Sequence, residues 1–505
     1  MADAVKIIEN GLVFTGDRKR RAGRLTLVIR NDRITEVNAR SDVVKALNPS
    51  AEVIDARTKI LLPGFVDAHL HGESAVLRAF TLGLPMTRWP KEAHIQRIEE
   101  YLSRSASPEQ WAAIYRISYF GALKAGVTTI SEFGHDAPDF ALNASYESMR
   151  RADIRGCIGL HSGEQLDQSK KLRHPSVSFA LVMSNEDDLT TYNLQTTYRL
   201  ARELRIPLLI HLGEQRRGAE VVKKNFRRSV VQLLEEYKIF DWPVQLSHLS
   251  TMDPGDMDIL ARSNIVPIYS PQSMMEKEVD RFPLAELREH GIRIALATDW
   301  GTPDPFRTIR AFITLAAQAG SPAPTAGELL EMHTTHPATV LGLGQEVGSI
   351  EVGKKADVVF VDASDIRLVP GTALADPERA LFSLFSNATP SDVTDVMVNG
   401  EFFIRERQIL TYAAEDLSRE AAGIVQALEH ASTQGSLQAP QLNALPQGEP
   451  PPEEGDDQKP FEEGFKIVGP RGDAAPEAKI FPIRPERRAP ELPKHVKKIF
   501  GDEDN

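Results

Sequence analysis

Two histidines stand one residue apart in "FVDAHLH", residues 65–71, at the end of an apolar run. Side chains repeat every two residues along an extended strand, so His69 and His71 share one face. A pair of neutral imidazoles suits a metal ion, and it equally suits two solvated polar residues at a strand end. Company elsewhere in the chain decides between the two readings. "PLLIHLGE" supplies His211, with Glu214 three residues on; "VQLSHLS" supplies His248, and "IALATDWG" supplies Asp299. Each stands where an apolar stretch gives way to a polar, turn-prone one. Three imidazoles and one carboxylate make a good set for Zn²⁺ or a similar first-row cation, with a position left for water. A divalent ion lowers the pKa of such a water from about 15.7 toward about 7, which yields hydroxide at neutral pH.

Residues so far apart meet only if a regular scaffold brings strand ends together. Between residues 63 and 344 short apolar strands, such as "AGVTTISEFG", "IRGCIGL" and "IPLLIHLGE", alternate with helical stretches such as "SPEQWAAIYRISYFGALKA". Repeated strand–helix units imply a parallel sheet covered on both faces. Their number and the length of the segment suit a closed (β/α)8 barrel, where C-terminal strand ends converge on one active face. A doubly wound open sheet is the runner-up, but no G-x-G-x-x-G follows an early strand. Residues 1–62 and 345–412 read as short strands and turns, so both chain ends are expected to build one small β domain. Residues 413–432 read as a terminal helix. The stretch 433–505, with "QGEPPPEEGDDQKP", is Pro- and Glu-rich and reads as disordered.

Bulk properties narrow the class. The chain has 505 residues, 41% of them hydrophobic and 26% charged, which is enough for a sizeable core. A net charge of −12 argues against a nucleic-acid or anionic-membrane binder. The single cysteine, Cys157, excludes an intramolecular disulfide and fits a reducing compartment. No secretory leader and no spanning apolar run are visible. The expectation is a cytoplasmic enzyme with a small-molecule substrate, and a homo-oligomer, by default a dimer.

The order of motifs resembles the metal-dependent amidohydrolase superfamily, and within it the cytosine-deaminase-like and triazine-hydrolase branch. The likeness runs through "PGFVDAHLHGESAVLRAF", "GALKAGVTTISEF", "IPLLIHLGEQ", "LSHLS", "LATDWG", "THPATVLGL" and "VGSIEVGKKADVVFVD". It implies a distorted (β/α)8 barrel carrying the metal, and a small β-sandwich built from both chain ends. It further implies His69, His71, His211 and Asp299 as ligands of one divalent ion, Zn²⁺ first, with Fe²⁺, Co²⁺ and Mn²⁺ as options. Glu214, His248 and Asp299 become the catalytic groups. Asp299 takes the water's proton, Glu214 passes one to the leaving group, and His248 polarises or orients. The reaction expected is cleavage of a C–N bond by a metal-bound hydroxide: deamination of a heterocycle, or hydrolysis of an amide, urea or carbamate-like group. The alternatives are displacement of a halide or thiol from an electron-poor carbon, or a non-catalytic scaffold of the same fold. Retention of the whole ligand set weighs against the scaffold.

Three departures from that pattern stand out. Dinuclear members carry a carbamylated lysine at the end of the fourth strand, and "VSFALVMSNEDDL" has none, which favours a single metal. Ser184 and Asn185 stand where deaminases of this branch place a substrate-contacting histidine, and a usual Ser-Asn pair is here Ser273-Met274. These changes point away from a standard purine or pyrimidine deaminase and toward a different or less polar substrate. Other residues read as bystanders. "GSIEVGKK" imitates a phosphate loop through Gly348, Gly353 and Lys354, but Lys355 replaces the required Ser or Thr and a strand follows. His161 is a pocket-lining candidate. His333 and His336 read as core or capping groups, Glu73 as a solvated loop acid, and Cys157 as buried and inert. Trp300 reads equally as pocket wall or barrel cover.

Overall fold

A computed structural model describes residues 4–434, apart from 135–136, 184–185, 187–188, 280 and 369–374. Ser184, Asn185 and the Pro-rich stretch from 435 onward therefore lie outside the described residues. Strands β1 (Val5–Glu9), β2 (Leu12–Phe14), β3 (Ala22–Arg24), β4 (Leu27–Arg30), β5 (Arg33–Val37), β6 (Glu52–Asp55) and β7 (Lys59–Pro63) come first. The barrel follows, from β8 (Phe65–Leu70), β9 (Val127–Glu132), β10 (Arg155–Leu160) and β11 (Val177–Val182) to β12 (Leu208–Leu212), β13 (Val244–His248), β14 (Ile268–Tyr269) and β15 (Ala295–Leu296). After it come β16 (Val358–Asp362), β17 (Val393–Val398), β18 (Glu401–Arg405) and β19 (Gln408–Ile409).

The strands flanking the barrel form two sheets, β5-β4-β1-β6 and β19-β18-β17-β16-β7-β2-β3. Ile8, Leu27 and Ile29 from the first sheet share a buried core with Leu61, Val358 and Phe360 from the second. Strands from both chain ends thus make the small β-sandwich. Its β17–β18 hairpin turns at Asn399-Gly400, where both residues have positive φ (49° and 79°), as a tight two-residue turn requires.

The eight barrel strands run in sequence order, β8 to β15, all parallel. Every residue of β8, β9 and β10 is buried, including the polar Asp67, His69, Glu132 and Arg155. The helices between them start on conventional signals. Pro108–Lys124, for example, opens on Ser107 and Gln110, whose side chains bond reciprocally to each other's backbone, with Pro at the first position. The last helix, Ala414–Gln434, packs on helices Ala93–Arg104 and Pro108–Lys124. Arg116 reaches across to both carboxylate oxygens of its Glu420, at 2.9 and 2.6 Å.

Strands β14 and β15 are only two residues long, for different reasons. Pro267 precedes β14 and has no N–H to give. Beside β15 the ladder is taken over by a side chain: Asp67 Oδ1 accepts from Thr298 N at 3.1 Å, and Asp67 Oδ2 accepts from the Thr298 hydroxyl at 2.5 Å. Burial pushes the Asp67 carboxyl up to about 6. The ring then closes at the site itself. Asp299 N donates to His69 O at 2.8 Å, and His71 N to Asp299 O at 3.3 Å. No helix among the described residues is long and apolar enough to cross a membrane.

Candidate active site

The strand ends bring together the residues that the sequence singles out. His69 and His71 come from β8 and the position after it, His211 from β12, His248 from the end of β13, and Asp299 from just beyond β15. One ligand atom from each of His69, His71 and His211 falls within 4.8 Å of the other two. The same holds for His69, His248 and Asp299, and for His211, Glu214 and His248. Backbone strain helps to aim them. His248, Leu249 and Asp299 have φ of +78°, +60° and +52°, a region that non-glycine residues seldom occupy and that clusters at functional sites. Glu214 is set by the turn before it. Gly213 has φ +63° and donates to Glu186 Oε1 at 2.5 Å, and a Cβ there would come within 2.9 Å of Thr251 N.

The imidazoles are dry. His69 is pulled down to about 4 by burial, His211 well below its usual value by burial and its imidazole neighbours, and His248 down chiefly by burial. Neutral rings keep a lone pair for coordination. His69 Nε2 and His211 Nε2 lie 3.1 Å apart, so either one ring donates to the other or both face a common cation. Asp299 Oδ1 lies 3.4 Å from Nε2 of both His69 and His71, without a well-formed hydrogen bond among the described residues. Both ring nitrogens of His248 also lack one there. Converging nitrogen lone pairs with an unsatisfied buried carboxylate oxygen are the donor set of a divalent transition metal, so the residues fit such an ion. Phe133 stacks on His211 at 3.8 Å between ring centres and walls the cluster on that side.

Three features escaped the sequence reading. The largest is Lys277, whose side chain is 5% exposed. Its Nζ donates to Glu214 Oε1 at 2.5 Å and to Asp299 Oδ2 at 2.7 Å, and Ser273 Oγ donates to the same Asp299 oxygen at 2.6 Å. Burial alone would push both carboxyls up. The Lys277 ammonium, first among the neighbours of Asp299, holds that group well below the carboxylate range; His248 and then Lys277 lower Glu214. The second is Glu73, which is 1% exposed and not a solvated loop acid. Helix Ser74–Thr81 begins immediately after it and folds it under the barrel mouth, where its Oε1 lies 3.4 Å from His71 Nδ1. The third is Glu132, which accepts from Gly72 N, Gly134 N and the Tyr119 hydroxyl at 3.0–3.1 Å. Burial, reinforced by the Glu73 charge, pushes it up to about 8.

The bystanders separate cleanly. His161 Nε2 lies 2.8 Å from Phe133 O, outside the cluster. His333 Nδ1 faces Val66 O at 3.2 Å and His336 Nδ1 faces Ile294 O at 2.8 Å, so backbone carbonyls hold both rings, and neither belongs to the cluster. Trp300 forms a wall: its ring lies 5.9 Å from His71 and 5.2 Å from Trp89, and its Nε1 donates to Thr81 Oγ1 at 3.0 Å. Cys157 is buried mid-strand, and burial pushes its thiol up to about 11. Gly348 and Gly353 lie in turns ahead of β16, with no helix after them.

Known proteins resemble the chain in sequence and in fold. The model of the amidohydrolase family matches residues 60–403. A 5-methylthioadenosine/S-adenosylhomocysteine deaminase of Desulforudis audaxviator is 27% identical over 427 residues, covering 81% of this chain and 94% of that protein. The structure of an adenosine deaminase from Xanthomonas campestris with bound zinc superposes with a TM-score of 0.74 at 20% identity, over 84% of this chain and 99% of the other. Atrazine chlorohydrolase TrzN from Arthrobacter aurescens TC1, complexed with zinc, gives 0.71 at 18% identity, over 83% and 99%. The chain belongs to the amidohydrolase family of metal-dependent hydrolases acting on non-peptide carbon–nitrogen bonds.

Proposed function

We propose that the protein is a mononuclear, zinc-dependent deaminase of an amino-substituted nitrogen heterocycle, with adenine nucleosides of the 5-methylthioadenosine type as the first candidates. The observation that carries this reading is the cluster of His69, His71 and His211, with Asp299 Oδ1 3.4 Å from the first two rings and Glu214 and His248 beside it. These four would hold the ion, and the fourth barrel strand, "VSFALV", offers no lysine for a second. When bound, the cation supplies Lewis-acid chemistry, making a water nucleophilic at neutral pH. Asp299 accepts the attacking water's proton, its Oδ1 lying 3.4 Å from Nε2 of both His69 and His71. Glu214 rests as a carboxylate because the Lys277 ammonium donates to its Oε1. It must therefore collect a proton before passing one to the ring or leaving nitrogen. Neutral His248, with Nε2 3.7 Å from Glu214 Oε1, orients the group under attack. Trp300 and Trp89 give the mouth an aromatic wall that suits a flat ring.

That resting carboxylate is also the observation that favours a second reading, displacement of a halide, which leaves without a proton. One experiment separates them. Metal content is measured by elemental analysis, then ammonia release from 5-methylthioadenosine, S-adenosylhomocysteine, adenosine and guanine, and chloride release from atrazine. Stoichiometric zinc with ammonia release from a purine is the expected result. Chloride release alone selects the second reading, and a metal-free protein that turns over any of these compounds overturns both.

A further inference from the structure

Lys277 has a position that the reaction as written does not use. It follows helix Pro271–Glu276, and Ser273 stands four residues earlier on the same helical face. Its backbone is held on both sides: its N–H donates to Ser273 O at 2.8 Å, and its carbonyl accepts from Met86 N at 2.8 Å. An ammonium has three donors. Two are spent on Glu214 Oε1 and Asp299 Oδ2, while Ser273 Oγ gives a further bond to that same Oδ2. One oxygen of Asp299 is thus doubly occupied, and the other, Oδ1, is the one left facing His69 and His71 at 3.4 Å.

We infer that Lys277, together with Ser273, is a positioning residue that fixes which oxygen of Asp299 is presented to the metal and ties that carboxylate rigidly to Glu214. Desolvating three charges is offset only where their geometry and hydrogen bonding are good, and here a single ammonium bonds both carboxylates. The link also has a mechanistic consequence. The two carboxylates that handle protons share one cation, so the distance between them is set by Lys277 and not by two independent strand ends. A misplacement of about 1 Å at such a pair costs on the order of 10²-fold in rate.

This inference rests on Asp299 being a ligand, and Co²⁺ is the probe that tests the two separately. The full-length protein is loaded with Co²⁺ alone, and the visible absorption of the ion, which reports coordination number and ligand set, is recorded for wild type, Asp299→Asn, Lys277→Met and Ser273→Ala. Lys277→Met frees Oδ2, and its Co²⁺ band is expected to change absorptivity by about two-fold or more, with a smaller change in the same direction for Ser273→Ala. Thermal unfolding of both variants should stay cooperative. Where a purine substrate turns over, kcat of Lys277→Met should fall on the order of 10²-fold while KM holds within about three-fold. An altered band in Asp299→Asn with a wild-type band in Lys277→Met overturns the positioning role and leaves the metal site standing. A wild-type band in Asp299→Asn overturns the ligand assignment itself. If Lys277→Met does not fold, Lys277→Gln, which keeps a shorter N–H donor, is read by the same criteria.

Discussion

The two halves of the site are built by different physics. On one side three imidazoles are desolvated and held by packing, with His69 and His211 neutral: Phe133 lies flat on His211, and the His69 ring meets His71 and Phe133 edge-on at 5.1 and 5.0 Å. On the other side Asp299, Glu214, Lys277 and Ser273 are held by charge and hydrogen bonds, with Lys277 as the shared partner. The imidazole half offers lone pairs and does not need to titrate. The carboxylate half must stay ionised while buried, which requires a compensating cation in contact. A substitution on the first side should therefore act on metal retention, and one on the second on proton handling.

Asp299 belongs to both halves, so its substitution should have the largest effect. In Asp299→Asn the amide oxygen is drawn to the Lys277 and Ser273 donors, which turns the NH₂ group toward His69 and His71. A lone pair is replaced by a donor, and a proton acceptor is lost. Turnover should fall by about 10³-fold or more, with the fold retained. Ammonia release, metal content and a circular-dichroism melt on one preparation check this. Near-wild-type turnover would remove Asp299 from the mechanism.

Glu214→Gln tests the carboxylate half alone. With the imidazoles untouched, metal content should remain near wild type. The rate should fall on the order of 10²-fold for poor leaving groups, and far less for good ones. A leaving-group series at saturating Zn²⁺ makes the measurement. A uniform loss across the series, or a loss that follows metal content, would merge the halves that the geometry separates.

The same division explains what could be read from the chain. Strand alternation puts every second side chain on one face, so "HLH" and the lone histidines at the ends of "PLLIHL" and "VQLSH" advertise themselves, as does the barrel through its run of short apolar strands. The carboxylate half carries no such mark. Lys277 sits in "SPQSMMEKE", where a lysine just past a short helix reads as a solvated charge, and only contact with residues 63 and 22 positions away shows otherwise. A serine followed four residues later by a lysine, in the segment after a strand end, was the available signal, and it is weak. Glu73 was misread for a related cause. Three residues past a strand looks like a loop, whereas an immediate helix start draws the side chain inward.

Glu73 also supplies the mildest test, because it serves the imidazole half without being a donor to the ion. A carboxylate beside the far nitrogen of a ligating imidazole fixes the tautomer and raises the basicity of the ring, and removing it typically costs 10–100-fold in metal affinity. Glu73 Oε1 stands in that relation to His71 Nδ1. Burial pulls the His71 ring down, but the Glu73 and Asp299 carboxylates together hold it above its usual value. Glutamine at this position keeps an acceptor oxygen but loses the charge, so the affinity for Zn²⁺ should fall by about ten-fold, the lower end of that range. At saturating Zn²⁺ the rate should recover to within about three-fold of wild type, since nothing on the proton path has changed. Competition with a chelator of known affinity measures the first quantity, and ammonia release across a zinc titration measures the second. If Glu73→Gln instead showed the leaving-group dependence expected of Glu214→Gln, protons would be passing through His71, and the imidazole half could no longer be treated as a passive holder.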